Sequence, residues 1–255
     1  MFVLQYRPFD KEKTMPFEFI PVSTRILHPP KDDIYDILDA LPPLMEKDIV
    51  FITSKILGIH QGRCVICEGT DKTALIKREA QRYLAYTHPF GFNVNLTITD
   101  NILISAAGID ASNADGYYIL WPENTDALCA EIRAHLCKKN GLKDLGVVST
   151  DSHTTPLRLG VTGISTGVAG IEPLRDLRGQ KDLFDRELKI TQVNQIDALS
   201  AMAVLLMGES NECTPIVLLR GWDKIVFNEN ASMKGFKTDP EEDLYMPLLS
   251  VMKGG

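Results

Sequence analysis

The chain has 255 residues, 44% hydrophobic and 24% charged, which is enough to bury a full core in one large domain or two interlocked small ones and is unlike a disordered or fibrous chain. A formal charge of −7 without any long Lys/Arg block argues against nucleic acid or an anionic membrane as the main partner, so an anionic substrate would need local positive charge or metal. Five cysteines, at 64, 67, 129, 137 and 213, support neither a disulfide framework nor a four-cysteine zinc site, and Cys64 and Cys67 lie in an apolar, strand-like run that reads as buried thiols.

Residues 1–16 read as an N-terminal extension ahead of a domain over residues 17–255. Arg7, Asp10, Lys11 and Glu12 interrupt this opening, unlike a signal peptide, and no apolar run reaches the length of a membrane span. A cytoplasmic location is therefore expected. FEFIPV, from Phe17, is a predicted strand. Pro29 and Pro30 then precede a helical pattern with Ile34, Ile37, Leu38 and Leu41 on one face, which Pro42 and Pro43 stop.

Residues 48–53 (DIVFIT) form a second predicted strand, leading to Ser54, Lys55 and a turn at Gly62 and Arg63. A helix is predicted over 73–86, followed by an irregular link. ILISA, at 102–106, makes a strand that ends in GIDASNADG, where Asp110, Ser112, Asn113 and Asp115 crowd together; an Asx turn uses the same residue types. Leu128, Ile132 and Leu136, at steps of four, predict a helix over 126–139, with Asn140 and Gly141 as its stop.

The stretch from 145 to 171 is the densest in signals. An apolar run climbs to Asp151 at its end, which is how a buried strand delivers a carboxylate. Ser152, His153, Thr154 and Thr155 follow, then Pro156, Arg158 and glycines at 160, 163, 167 and 170, which suit a glycine-weakened strand or bulge. Residues 176–188 read as a charged turn of local ion pairs, 187–193 as a strand, and 193–207 as a core helix stopped by Gly208, with Glu209 next. Residues 215–219 are the last clear strand before a polar tail. Neither GxxxxGK[ST] nor GxGxxG occurs.

Asp110, Asp151 and Glu209 thus stand at three separate element ends. With GIDASN (108–113), TDS (150–152), GVAG (167–170), DLRGQKDL (176–183), REL (186–188), LLMGE (205–209) and PIVLLRG (215–221), the chain resembles the coenzyme F(420)-0:L-glutamate ligases, the gamma-glutamyl ligases of deazaflavin cofactor synthesis. That resemblance implies an α+β fold of two intertwined subdomains and a homodimer. It also implies that Asp110, Asp151, Ser152 and Glu209 hold two divalent cations, magnesium or manganese, with Asp110, Asp151 and Glu209 as the catalytic set. A nucleotide, GTP or ATP, would contact Arg25, Ile26, Leu27, His28, Ser54, Lys55, Asn113, Met207, Gly208 and Glu209, and potassium can assist.

The chemistry suits these residue types. A carboxylate must be activated as an acyl phosphate before an amine can attack it, and oxygen ligands on hard cations serve that step. Two positions depart from the family's pattern. Ile59 stands where a lysine often follows the serine that Ser54 matches, and Thr155 stands where ligases acting on the deazaflavin precursor carry arginine. Thr155 lacks the planar fork that pairs with an anionic oxygen pair. The expected acceptor is therefore a folate, as in a related bacterial branch, with L-glutamate as the second substrate and His153, Thr155 and Arg158 on the acceptor side. The deazaflavin ligase is the alternative within the class. A nucleotide-binding regulatory protein on a ligase scaffold is the alternative outside it, and it would be expected to have lost one of the metal carboxylates.

Overall fold

The computed structural model describes residues 17–88, 91 and 93–254, so the predicted extension at 1–16 lies outside the described residues. In chain order, β1 (Glu18–Val22) leads to a short helix α1 (Tyr35–Asp39), then β2 (Ile49–Thr53) and α2 (Ser54–Gln61). Gly62, at φ +73°, closes α2 in the left-handed conformation that glycine tolerates. Next come β3 (Cys64–Ile66), α3 (Lys72–Glu79), β4 (Arg82–Thr87), β5 (Asn93–Thr99), β6 (Ile102–Ser105), a single 3-10 turn (Ala106–Gly108) and β7 (Tyr117–Ile119). The order continues with α4 (Thr125–Asn140), β8 (Gly146–His153), β9 (Thr162–Ala169), β10 (Leu174–Asp176), β11 (Gln192–Asn194), α5 (Gln195–Met207), β12 (Ile216–Arg220), α6 (Met246–Leu249) and β13 (Lys253–Gly254).

Five strands form the main sheet in the order β1-β12-β2-β8-β9, and β2 with β8 is its one parallel pair. Its alternate side chains supply two cores. Val50, Ile52, Val147, Ile216 and Leu218 pack with Leu128, Ile132 and Leu136 of α4, while Ile49, Phe51, Val148, Val217 and Leu219 pack with Ile196, Leu199 and Ala203 of α5. Burial on both faces is why these strands read as unbroken apolar runs. A Phe51→Ala change at its fully buried site would cost about 3–5 kcal/mol.

A second sheet, β13-β4-β5-β6, is built from the middle of the chain and its far end. The chain leaves the first sheet after β2, builds β4 to β6, returns for β8, β9 and β12, and ends on β4 through β13. The mixture of helices with largely antiparallel sheets is the expected α+β class.

Several predicted elements differ. The helix predicted over 73–86 splits into α3 and β4, separated only by Ala80 and Gln81, because RYLAYT pairs with β5 from Arg82 to Thr87. The strand predicted over 187–193 shrinks to β11; upstream, Ile190 is 87% exposed and packs on no core. Helix α2 and strand β5 carry no forecast. The glycine-rich stretch does form β9, with a bulge opposite Ser149 and Thr150, and the charged turn holds the local pairs Arg178 with Asp176 and Lys181 with Asp185. Cys64 and Cys67 are half-buried rather than buried.

Candidate active site

The sequence places its candidate residues on strand ends and loops, and the parallel pairing of β2 with β8 brings two of those ends to one level. Thr53 pairs with Thr150, so Lys55 in the first turn of α2 and Asp151 at the end of β8 emerge at the same sheet edge. The loop after β6 and the loop after α5 close over that edge. Together they bound a cavity of about 620 Å³ lined by Arg25 to Pro29, Lys55, Ile59, Asp110, Ser112, Asn113, Asp115, Asp151, Ser152 and residues 207–215. A larger cavity, about 1120 Å³, contains none of the predicted residues; Trp121, which lines it, donates its indole N–H to Asp151 of the smaller one.

Asp110 is fixed before it does anything else. Its backbone exchanges hydrogen bonds with Ile119, the Ser112 N–H and hydroxyl donate to its carboxylate at 2.7 and 2.9 Å, and Lys55 Nζ lies 2.6 Å away. The Asx turn and the ligand-site arrangement are thus one structure. Burial works to raise the Asp110 carboxyl, but Lys55 and the Ser112 hydrogen bonds outweigh it and leave the group below its ordinary value. The chain reaches this point through Ala106 and Ala107, both at positive φ (53° and 55°), a left-handed pair costing roughly 1–2 kcal/mol per residue. The Thr97 hydroxyl, which accepts from the Ala107 N–H at 2.9 Å, helps hold it.

Asp151 accepts from the Trp121 indole N–H on one oxygen and from the Ser152 N–H, at 2.8 Å, on the other. Burial pushes its carboxyl up to about 6, opposed by the Trp121 and Ser152 bonds and reinforced by the charge of Asp110. Glu209, just past the end of α5, accepts from the Ser152 hydroxyl at 3.3 Å. Burial raises it too, and Asp110 and Glu212 add to that, while Ser152 and Lys55 work against it. Asn113 donates to Ser210 O at 2.7 Å and joins the two loops.

The remaining candidates separate clearly. Ile26, Leu27, His28, Met207 and Gly208 line the cavity beside Lys55, Asn113 and Glu209. Arg25 lines it too, yet its guanidinium is committed to Asp32, Asp36 and the carbonyls of Ile26 and Asp33, so it braces the segment. Ser54 is 3% exposed and lies outside the cavity lining. Ile59 is buried in the wall and brings no charge. His153, Thr155 and Arg158 also stay out of this cavity; burial lowers His153, and Arg158 is exposed and turned onto Leu157 O. Trp121 is the residue that sequence reasoning missed, because nothing in its spacing announces a contact 30 positions away.

Asp110, Asp151, Ser152 and Glu209 offer hard oxygen donors suited to magnesium or manganese. The donor set fits: three carboxylates share one nearby ammonium, Lys55, and two of them are raised by burial, so added positive charge would relieve the cluster. Among the described residues no group of three His, Cys, Asp or Glu can enclose a metal alone. No helix of the described residues is long and apolar enough to cross a membrane.

Comparison with known proteins supplies the wider context. The family model described as "F420-0:Gamma-glutamyl ligase" matches residues 22–221. The coenzyme F420:L-glutamate ligase of Methanopyrus kandleri is 32% identical over 226 residues, covering 82% of this chain and 87% of that protein. Its counterpart from Methanococcus maripaludis strain C7 is 33% identical over 218 residues, covering 80% and 86%. The one from Methanosarcina barkeri is 31% identical over 224 residues, covering 82% and 87%. With a family model spanning most of the chain and relatives above 30% identity along nearly their whole length, the chain belongs to the F420-0:gamma-glutamyl ligase family, ligases that form carbon–nitrogen bonds.

Proposed function

We propose that the chain joins L-glutamate, through its amine, to the γ-carboxylate of a folate-like acceptor at the expense of a nucleoside triphosphate, GTP or ATP. The observation that carries the reaction type is the convergence of Asp110, Asp151, Ser152, Glu209 and Lys55 on one cavity. An acceptor carboxylate oxygen attacks the γ-phosphorus and the nucleoside diphosphate leaves. The glutamate amine then attacks the acyl carbon, orthophosphate leaves and the amine loses a proton. Lys55, held by Asp110 and Ser112, stands where an ammonium can meet phosphate oxygens, and the 25–29 segment supplies a wall for the nucleotide. Divalent cations held by Asp110, Asp151, Ser152 and Glu209 would offset the charge that develops in phosphoryl transfer. No covalent protein nucleophile is required.

Thr155 supports the folate acceptor, together with the outward turn of Arg158: the loop after β8 offers this cavity no guanidinium for a phosphodiester. The names of the relatives favour the second reading, a deazaflavin acceptor. The test is incubation with glutamate, each nucleotide and each acceptor, with products identified by mass. A γ-glutamyl folate with release of orthophosphate is expected; pyrophosphate and nucleoside monophosphate would replace acyl phosphate by adenylylation. Thr155→Arg is expected to shift kcat/KM toward the phosphodiester acceptor by roughly ten-fold, the scale of one charge-assisted hydrogen bond. A wild type that prefers the deazaflavin precursor ends the folate reading.

A further inference from the structure

We propose that Trp121 is a positioning residue for the ligase reaction, setting the separation of the Asp110 and Asp151 carboxylates from one short segment of chain. The inference rests on reading those carboxylates as cation ligands. Asp151 comes from the main sheet and Asp110 from the loop beyond the second sheet, so neither sheet alone fixes their spacing.

Residues 119–121 touch both. Ile119 exchanges two backbone hydrogen bonds with Asp110, at 2.8 and 3.1 Å. Two positions on, the Trp121 indole N–H donates to Asp151 Oδ2. The ring also backs onto Gly108, at φ +70°, where a Cβ would overlap the indole; Gly108 lies two residues before Asp110. One indole therefore holds the first carboxylate by a hydrogen bond and the approach to the second by close packing.

The indole is itself immobilised. It is 8% exposed and packs with Ile102 and Ile104 of β6 and Ile164 of β9. Arg63 pins the backbone around it, accepting from Leu120 N–H through its carbonyl and donating Nε to Trp121 O at 3.1 Å, while its guanidinium pairs with Glu79 and Glu123. With Oδ2 on the indole and Oδ1 on the Ser152 N–H, the Asp151 carboxylate is fixed in plane while each oxygen keeps a lone pair for a ligand. Hydrogen bonds of this kind, one layer behind a metal ligand, typically carry ten- to a hundred-fold in metal affinity.

The test measures Mn²⁺ affinity of the full chain without nucleotide, by the free-ion paramagnetic resonance signal, in the wild type, Trp121→His and Trp121→Phe. Phe keeps an apolar ring and loses the donor; His keeps a ring N–H and fills the core less well. Positioning predicts affinity in the order Trp, His, Phe, with Phe weaker by about ten-fold or more, while Tm follows the order Trp, Phe, His. Mn²⁺ affinity that follows Tm, or a Phe variant that binds as the wild type does, overturns the proposal. Should the Trp121→Phe variant not fold, Trp222→Phe leaves Trp121 as the one tryptophan of the chain: its emission must change at saturating Mn²⁺, and unchanged emission overturns the proposal as well. A wild type that binds no Mn²⁺ is a different failure, ending the cation reading of the carboxylates.

Discussion

Two charged clusters border the same cavity, and they are built on opposite principles. At Arg25, Asp32 and Asp36, a guanidinium meets two carboxylates with every N–H engaged, and backbone N–H groups of His28 and Asp33 satisfy Asp32 further. The Arg25 hydrogen bond and charge hold Asp32 down at about 2, and Asp36 is lowered for the same reason. At Asp110, Asp151 and Glu209, three carboxylates share the single ammonium of Lys55, and burial raises two of them. The first cluster has each guanidinium N–H matched to an acceptor and fixes a segment of chain. The second carries excess negative charge at a cavity, which is the arrangement expected where a cationic ligand completes the chemistry.

The sharpest way to break this comparison is to neutralise the unbalanced cluster. Asp110→Asn and Asp151→Asn are each expected to lower turnover by roughly 10³-fold, because an amide oxygen holds a hard cation far less well. In chelator-containing buffer at pH 8, Asp151→Asn should also raise Tm by about 3–6 °C, on the order of 1–2 kcal/mol, since it removes a desolvated charge. Near-normal turnover at limiting metal would remove either residue from the ligand set. Ser152→Ala, with its 3.3 Å bond to Glu209, should be milder.

Disturbing the Arg25 cluster should do the reverse. Arg25→Ala is expected to destabilise the fold by about 1 kcal/mol, a modest figure because its side chain is 41% exposed. The sign of its pH dependence follows from Asp32, whose folded value is depressed. The stabilisation is present above the ordinary carboxylate value near 4 and is lost as pH falls toward about 2. The difference in Tm between wild type and Arg25→Ala should therefore be constant above about pH 5 and shrink between 4 and 2. A gap that grew on acidification would contradict the assignment of Arg25 as a brace.

The smallest effect is expected at Ser54. Buried and outside the cavity lining, it should tolerate Ser54→Ala with nucleotide KM changed by less than about two-fold, under roughly 0.5 kcal/mol. A ten-fold rise in KM would restore it to the nucleotide contacts that the family resemblance implies.

Legibility in the sequence tracked how completely local chemistry determined structure. Strands β2, β8 and β12 were readable because burial on both faces writes an unbroken apolar run, and α4 and α5 because their buried residues recur at helical spacing. Helix α2 was missed because it starts directly after β2 with no side-chain cap at Thr53, and β5 because NVNLTIT mixes apolar with Asn and Thr positions. The helix forecast over 73–86 ran through β4 because no glycine or proline marks the change at Ala80 and Gln81. At the site, the acidic residues were visible as carboxylates at element ends. Arg25's commitment to Asp32 and Asp36, and Trp121's reach to Asp151, depend on how loops lie against the sheets, which no local pattern records.

The Asn113 to Ser210 hydrogen bond spans 97 positions of sequence and couples the loop bearing Asp110 to the loop bearing Glu209. Neither loop can swing outward alone without breaking it. Amide hydrogen exchange should then register the two loops as a single opening unit with one free energy, although they belong to distant parts of the chain. Asn113→Ala would split that unit in two, so that deuterium uptake at residues 110–115 and 208–212 would no longer keep pace.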